Sequence, residues 1–136
     1  MAHGARFECC FNFRDLGGLT GTDGRRTSRG QVFRSDALSW LTEHDAALIS
    51  GFGLRTVVDL RSRDEFLEEP PSPFLVSPQI LNAPLFDRTT TFASLGFRSE
   101  DPPHGQLNIE IAEQCGDAIA HAYETVASAR TPVLFH

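Results

Sequence analysis

Seven residues constrain this chain more than any others: Leu54 to Leu60, "LRTVVDL". Thr56, Val57 and Val58 are β-branched and sit in a short apolar run, which reads as a strand. The run does not alternate apolar with polar. It is therefore predicted to be buried on both faces, as in the interior of a parallel sheet. Such a strand needs helices on either side, and its flanks carry helix signals. Before it, Thr42 caps a helix, with Asp45 three residues on as a capping-box variant. Leu48, Ile49 and Phe52 give that helix an apolar face, and Gly51 or Gly53 ends it. After the strand, Ser62 and Glu65 form a capping box for a short helix that Pro70-Pro71 terminates.

The pattern continues. "QILNAPL", Gln79 to Leu85, reads as a second strand, and Pro132 opens a last one that runs to His136. From about Gln106 to Ala129, Ile111, Cys115, Ala118, Ile119, Ala122 and Val126 recur at helical spacing. Phe86 to Gly105 lacks periodicity and reads as a long loop, a functional lid or a disordered segment. At the other end, Arg6 to Phe13 is predicted to be a strand and "RDLGGL" a turn. Asp23-Gly24 marks a hairpin whose return strand is "QVFRS", Gln31 to Ser35. A hairpin followed by α-β-α-β-loop-α-β implies an α/β fold. Its mostly parallel sheet is flanked by helices, and the Pro132–His136 strand is central. At 136 residues the chain has the size of one domain, residues 1–136.

Net charge is −6 with no basic patch, which argues against nucleic acid or an anionic membrane as partner. No apolar run approaches the ~18 residues of a membrane span, and "MAHGARFECC" lacks the apolar core of a secretory signal. A cytoplasmic location is expected. All 12 Lys+Arg residues are Arg. Without lysine there is no Walker A site, Schiff base or lysine base. Arginine that acts chemically grips phosphate or carboxylate, although a codon bias accounts for most of the 12. Cys9, Cys10 and Cys115 are odd in number and lack C-x-x-C spacing, so neither a disulfide framework nor a zinc site is expected. Cys115 is expected in the core, and strand alternation puts Cys9 and Cys10 on opposite faces. His3, His44, His104 and His121 have no metal-ligand spacing. Trp40 is expected to pack the loop before the Thr42 helix.

Ligands of parallel α/β sheets sit beyond the carboxyl ends of the strands. That edge receives Asp59, Leu60 and Arg61 from one strand. Leu85, Phe86 and Asp87 come from the next, and His136 from the last. The motifs around it, Asn12-Phe13-Arg14-Asp15-Leu16-Gly17-Gly18, Phe33-Arg34-Ser35-Asp36 and Val57-Val58-Asp59-Leu60-Arg61-Ser62, resemble the bacterial tyrosine/dual-specificity protein phosphatase family in order and spacing. "PVLFH" looks like that family's strand leading into the active site.

The resemblance implies a phosphate-monoester hydrolase with a phosphocysteine intermediate and neither metal nor cofactor. Its substrate would be a phosphorylated protein or a phosphoinositide. In the family a catalytic cysteine follows the histidine at once, in a loop resembling H-C-x-x-G-K-D-R-T-G. Backbone N–H groups and a helix N-terminus lower that cysteine's pKa and hold phosphate, and an Arg six residues on completes the clamp. Here the residues six after Cys9, Cys10 and Cys115 are Asp15, Leu16 and His121, so none opens a C-x5-R loop. The expectation is a domain that stops before its nucleophile loop and is inactive as it stands. A non-catalytic phosphate-binding module and a sulfurtransferase-like enzyme are the alternatives.

Among the resident side chains, Asp87 is the candidate general acid, with loop capping as the plain alternative. Arg61 is expected to pair with a carboxylate such as Glu65, and Asp59 to hold an Arg or cap backbone N–H groups. Asn12, Arg14 and Asp15 are expected to pin the hairpin against the active-site edge through side-chain–backbone hydrogen bonds, and His136 to orient the cysteine's surroundings.

Overall fold

The computed structural model describes residues 6–86, 109 and 111–136. Among these, five strands form one sheet: β1 (Arg14–Asp15), β2 (Val32–Arg34), β3 (Thr56–Asp59), β4 (Gln79–Asn82) and β5 (Val133–Phe135). The order is β1-β2-β5-β3-β4. Only the β1–β2 pair is antiparallel. β5 lies between β2 and β3, and Val133 is in register with both Val32 and Thr56. The last strand is thus central, as predicted.

A central strand needs two apolar faces. Val57 and Leu134 pack into one cluster with Phe33, Leu38, Leu41 and Ile49, while Val58 and Val133 pack into the other with Ala83 and Ala122. Those four strand residues are fully buried, which contributes roughly 2 kcal/mol each. Helix α1 (Glu43–Ser50) and the rings of Phe7, Phe13, Phe33 and Phe52 cover the first face, with ring centroids 4.9–5.5 Å apart. Helix α3 (Gly116–Ser128) covers part of the second through Ala122 and Val126.

The helix starts follow their caps. The Thr42 hydroxyl accepts the Asp45 N–H at 3.2 Å. Ser62 and Glu65 form the complete capping box of α2 (Arg63–Glu68). Gly53 takes a φ of +65° after α1. At Gly17 a Cβ would lie 2.3 Å from the Arg29 Cα, so the first of the paired glycines is required by close backbone approach.

The structure corrects several expectations. Arg6 to Phe13 is not a strand. Its N–H groups go to side chains instead of a ladder: Glu8 and Cys9 each donate to the Asp45 carboxylate at 2.8 Å, and Phe11 donates to Asp36 at 2.9 Å. Asn12, at φ 56°, then turns the chain through a left-handed residue. Asp45 is therefore an anchor for this segment and not a capping-box partner. Cys10 is nevertheless buried and Cys9 half-buried. Cys115 is half-buried at the N-cap of α3 and not in the core, because that helix begins only at Gly116. Trp40 is 69% exposed and packs little. Among the described residues no helix is long and apolar enough to cross a membrane.

Candidate active site

The four parallel strands present their carboxyl ends on one edge. Asp59 ends β3, Asn82 ends β4, Arg34 ends β2 and His136 follows β5. Asp59 is fully buried there, and Arg61 folds back onto it. The Arg61 backbone N–H donates to Asp59 Oδ1 at 2.9 Å, Nε donates to Oδ1 and Oδ2 at 3.1 and 3.2 Å, and Nη2 donates to Oδ2 at 2.6 Å. The rest of the guanidinium is used as well: Nη1 donates to Ser39 Oγ at 3.1 Å and Nη2 to the Glu69 carbonyl at 2.9 Å. The hydrogen bonds to Asp59 raise the Arg61 pKa further, against the effect of burial. Arg61 thus ties the end of β3 to the loop before α1 and to the end of α2. Its partner is Asp59 and not Glu65, because the Glu65 carboxylate is engaged by the Ser62 hydroxyl and N–H, which lower its pKa.

Asn82 completes the turn after β3. Its side-chain amide donates to the carbonyls of Asp59 and Arg61 at 3.1 and 2.9 Å. Neither Asn82 nor Ser39 stands out in the sequence. The sequence reading runs this strand on to Leu85, and a polar residue inside that apolar run was the one available signal for Asn82, which in fact ends β4.

His136 extends the ladder with β3: its N–H donates to the Val58 carbonyl at 3.1 Å, and its carbonyl accepts the Leu60 N–H at 2.8 Å. The imidazole is 1% exposed, with Nε2 3.6 Å from Asp59 Oδ2. Neither ring nitrogen has a hydrogen-bond partner among the described residues. Burial pushes the His136 pKa down to about 4; Asp59 opposes that shift and Arg61 adds to it. The ring is neutral at physiological pH.

Asp59, Arg61 and His136, singled out by sequence, therefore meet. The others do not form one cluster with them. Asn12 and Arg14 lie at the same edge, where Arg14 Nη1 donates to the Asn12 carbonyl at 3.3 Å. The Asp15 carboxylate accepts the N–H groups of Gly17 and Gly30, at 2.7 and 2.9 Å, on the amino-end side of β2. It pins the hairpin away from the ligand edge. Asp36 and Phe11 exchange two hydrogen bonds, which clasp the segment before "NFRDLGG" to "FRSD". Asp87 lies outside the described residues.

A model of the tyrosine phosphatase family matches residues 5–136. The chain belongs to the tyrosine phosphatase family. The match spans the whole sheet, the Asp59–Arg61 pair and His136. A Cupriavidus necator protein named as a candidate tyrosine-protein phosphatase is 40% identical over 63 residues, which is 46% of this chain. That stretch is 23% of the relative, so the aligned part spans under a quarter of its length. Several polar residues of this tyrosine phosphatase family chain, inside and outside the motifs, hold backbone groups. Asp36, Asp45, Asp59 and Asp15 each receive main-chain N–H groups, and Asn82 donates to main-chain carbonyls.

Proposed function

We propose that this domain is the frame of a cysteine-dependent phosphate-monoester hydrolase of the tyrosine/dual-specificity type, whose nucleophile loop joins directly to His136. The observation that carries the reading is the end of β5. It lies at the centre of the ligand edge, beside a buried Asp59–Arg61 pair that fixes the neighbouring turn. A loop leaving His136 would start from a rigid base, as catalytic geometry requires.

In this reaction the cysteine thiolate attacks phosphorus, and the ester P–O bond breaks. The leaving oxygen takes a proton from a general acid, for which Asp87 is the candidate. Water then attacks the phosphocysteine, releasing phosphate and the thiolate. The substrate is a phosphate monoester, carried by a phosphorylated protein or a phosphoinositide. No resident cysteine substitutes for the nucleophile. Cys10 is 3% exposed and burial pushes its thiol up to about 12, the opposite of what a thiolate needs. Arg61 spends its donors on Asp59, Ser39 and Glu69, so it supports the turn and leaves the phosphate to the loop.

The test is turnover of an aryl phosphate. The 136-residue chain is expected to be silent, and a protein that carries the residues following His136 is expected to turn over and to be blocked by vanadate. Vanadate-sensitive turnover by the 136 residues alone would place the active site elsewhere. In the longer protein Asp87→Asn is expected to slow a phosphoserine peptide far more than p-nitrophenyl phosphate, whose leaving group needs no proton. Equal slowing removes Asp87 from the acid role.

A further inference from the structure

Arg14 of β1 and Arg34 of β2 stand directly opposite each other in an antiparallel register. Residues so placed point to the same face, with Cβ atoms about 5 Å apart, and like charges there are destabilising. Both arginines are exposed. The carboxylates next to them in sequence are engaged elsewhere: Asp15 by Gly17 and Gly30, Asp36 by Phe11. Among the described residues no salt bridge reaches either guanidinium, and the one hydrogen bond is from Arg14 to a neutral carbonyl. Among the described residues of a chain of net charge −6, two cations without a counter-charge thus stand side by side.

Their position is specific. Arg34 is in register with Phe135, the residue before His136. Strands are about 4.8 Å apart. The midpoint between β1 and β2 therefore lies one and a half spacings, about 7 Å, from the end of β5. Two residues of an extended peptide also span about 7 Å, and their side chains share one side.

We propose that Arg14 and Arg34 together bind an oxyanion, and that they select phosphopeptides carrying an acidic side chain two residues from the phosphorylated one. This rests on the hydrolase reading above for its substrate, but the anion site itself does not. A bridging anion relieves the repulsion between the guanidinium groups and accepts N–H bonds from both.

Two measurements test it. In the first, inorganic phosphate is titrated into the 136-residue chain at low salt, followed by melting temperature and by the NMR signals of the arginine Nε–H groups. Phosphate is expected to raise the melting temperature and move the Arg14 and Arg34 signals. Arg34→Ala is expected to weaken binding at least roughly tenfold, while Arg26→Ala, in the exposed hairpin, changes nothing. Equal responses from wild type and Arg34→Ala overturn the site. In the second, the longer protein is assayed on phosphopeptides with Glu or Ala two residues from the target. Wild type is expected to favour Glu in kcat/KM, and Arg34→Ala to abolish the preference without slowing the Ala peptide. Loss of rate on both peptides alike would assign Arg34 to structure and overturn the selectivity. If no peptide is turned over, the hydrolase reading and this selectivity fail together, and the phosphate titration still decides the anion site.

Discussion

Arg61→Met removes the cation from a pair whose carboxylate is completely buried. The side chains of Arg61 and Asp59 are 16% and 0% exposed, and among the described residues Asp59 then keeps the Arg61 backbone N–H and a neutral imidazole as polar neighbours. Removing one partner of a buried pair costs roughly 3–5 kcal/mol, because the other charge is left uncompensated. Arg61 retains some contact with water, so the low end, about 3 kcal/mol, applies. For a domain of this size that is a fall of about 10 °C in melting temperature. Asp59→Asn should cost less, about 1–2 kcal/mol, since Arg61 keeps Ser39, the Glu69 carbonyl and solvent as partners. The double variant should be more stable than the two single losses predict, by about 2 kcal/mol. Urea and thermal unfolding followed by circular dichroism read all three. Additive losses, or an unchanged melting temperature in Arg61→Met, would refute the structural role. If activity of the longer protein then fell by orders of magnitude with stability intact, Arg61 would be a substrate ligand.

Three further outcomes follow from the same geometry. His136, depressed from 6.5 to about 4, is neutral in the folded chain at a pH where the unfolded chain protonates it. Its contribution is complete above about pH 6.5 and is lost as pH falls toward about 4, up to on the order of 3 kcal/mol. Urea unfolding across that range should show the slope, and His136→Gln should flatten it. Gly17→Ala drives a Cβ into the Arg29 backbone and should cost about 3 kcal/mol, whereas Gly24→Ala meets open space and should cost only its left-handed strain, about 1 kcal/mol; thermal denaturation separates them. The groove between α3 and the sheet, about 680 Å³ and lined by Leu16, Val32, Leu60, Ile119, Tyr123 and Phe135, should bind anilinonaphthalene sulfonate, and Val32→Asp should abolish the fluorescence.

What was legible in the sequence depended on how local the signal was. The β3 run needed only its β-branched residues and lack of alternation, and the caps at Thr42 and Ser62 needed three residues each. The central place of β5 followed from strand and helix order. Arg6 to Phe13 misled because its apolar residues suit a strand, whereas its N–H groups are taken by Asp36 and Asp45, 25 to 37 residues away. No local pattern announces such a partner. The same holds for Arg61, where a nearby Glu65 was already engaged by its own capping box. Ser39 joins the site across 22 residues, beyond the reach of spacing arguments. The motifs themselves were readable, and the structure supplies part of their physical content: the Asp36 and Asp59 carboxylates hold backbone N–H groups at the ligand edge, and Asp15 holds them on the far side of the hairpin.

In the proposed hydrolase a cysteine following His136 carries the phosphoryl group. Acid quenching of the longer protein during turnover of a phosphopeptide, followed by peptide mass mapping, reads this directly. One phosphoryl group is expected on the cysteine next to His136, absent when that cysteine is replaced by serine. Sustained turnover by the serine variant, or a phosphoryl group on any other residue, would contradict it.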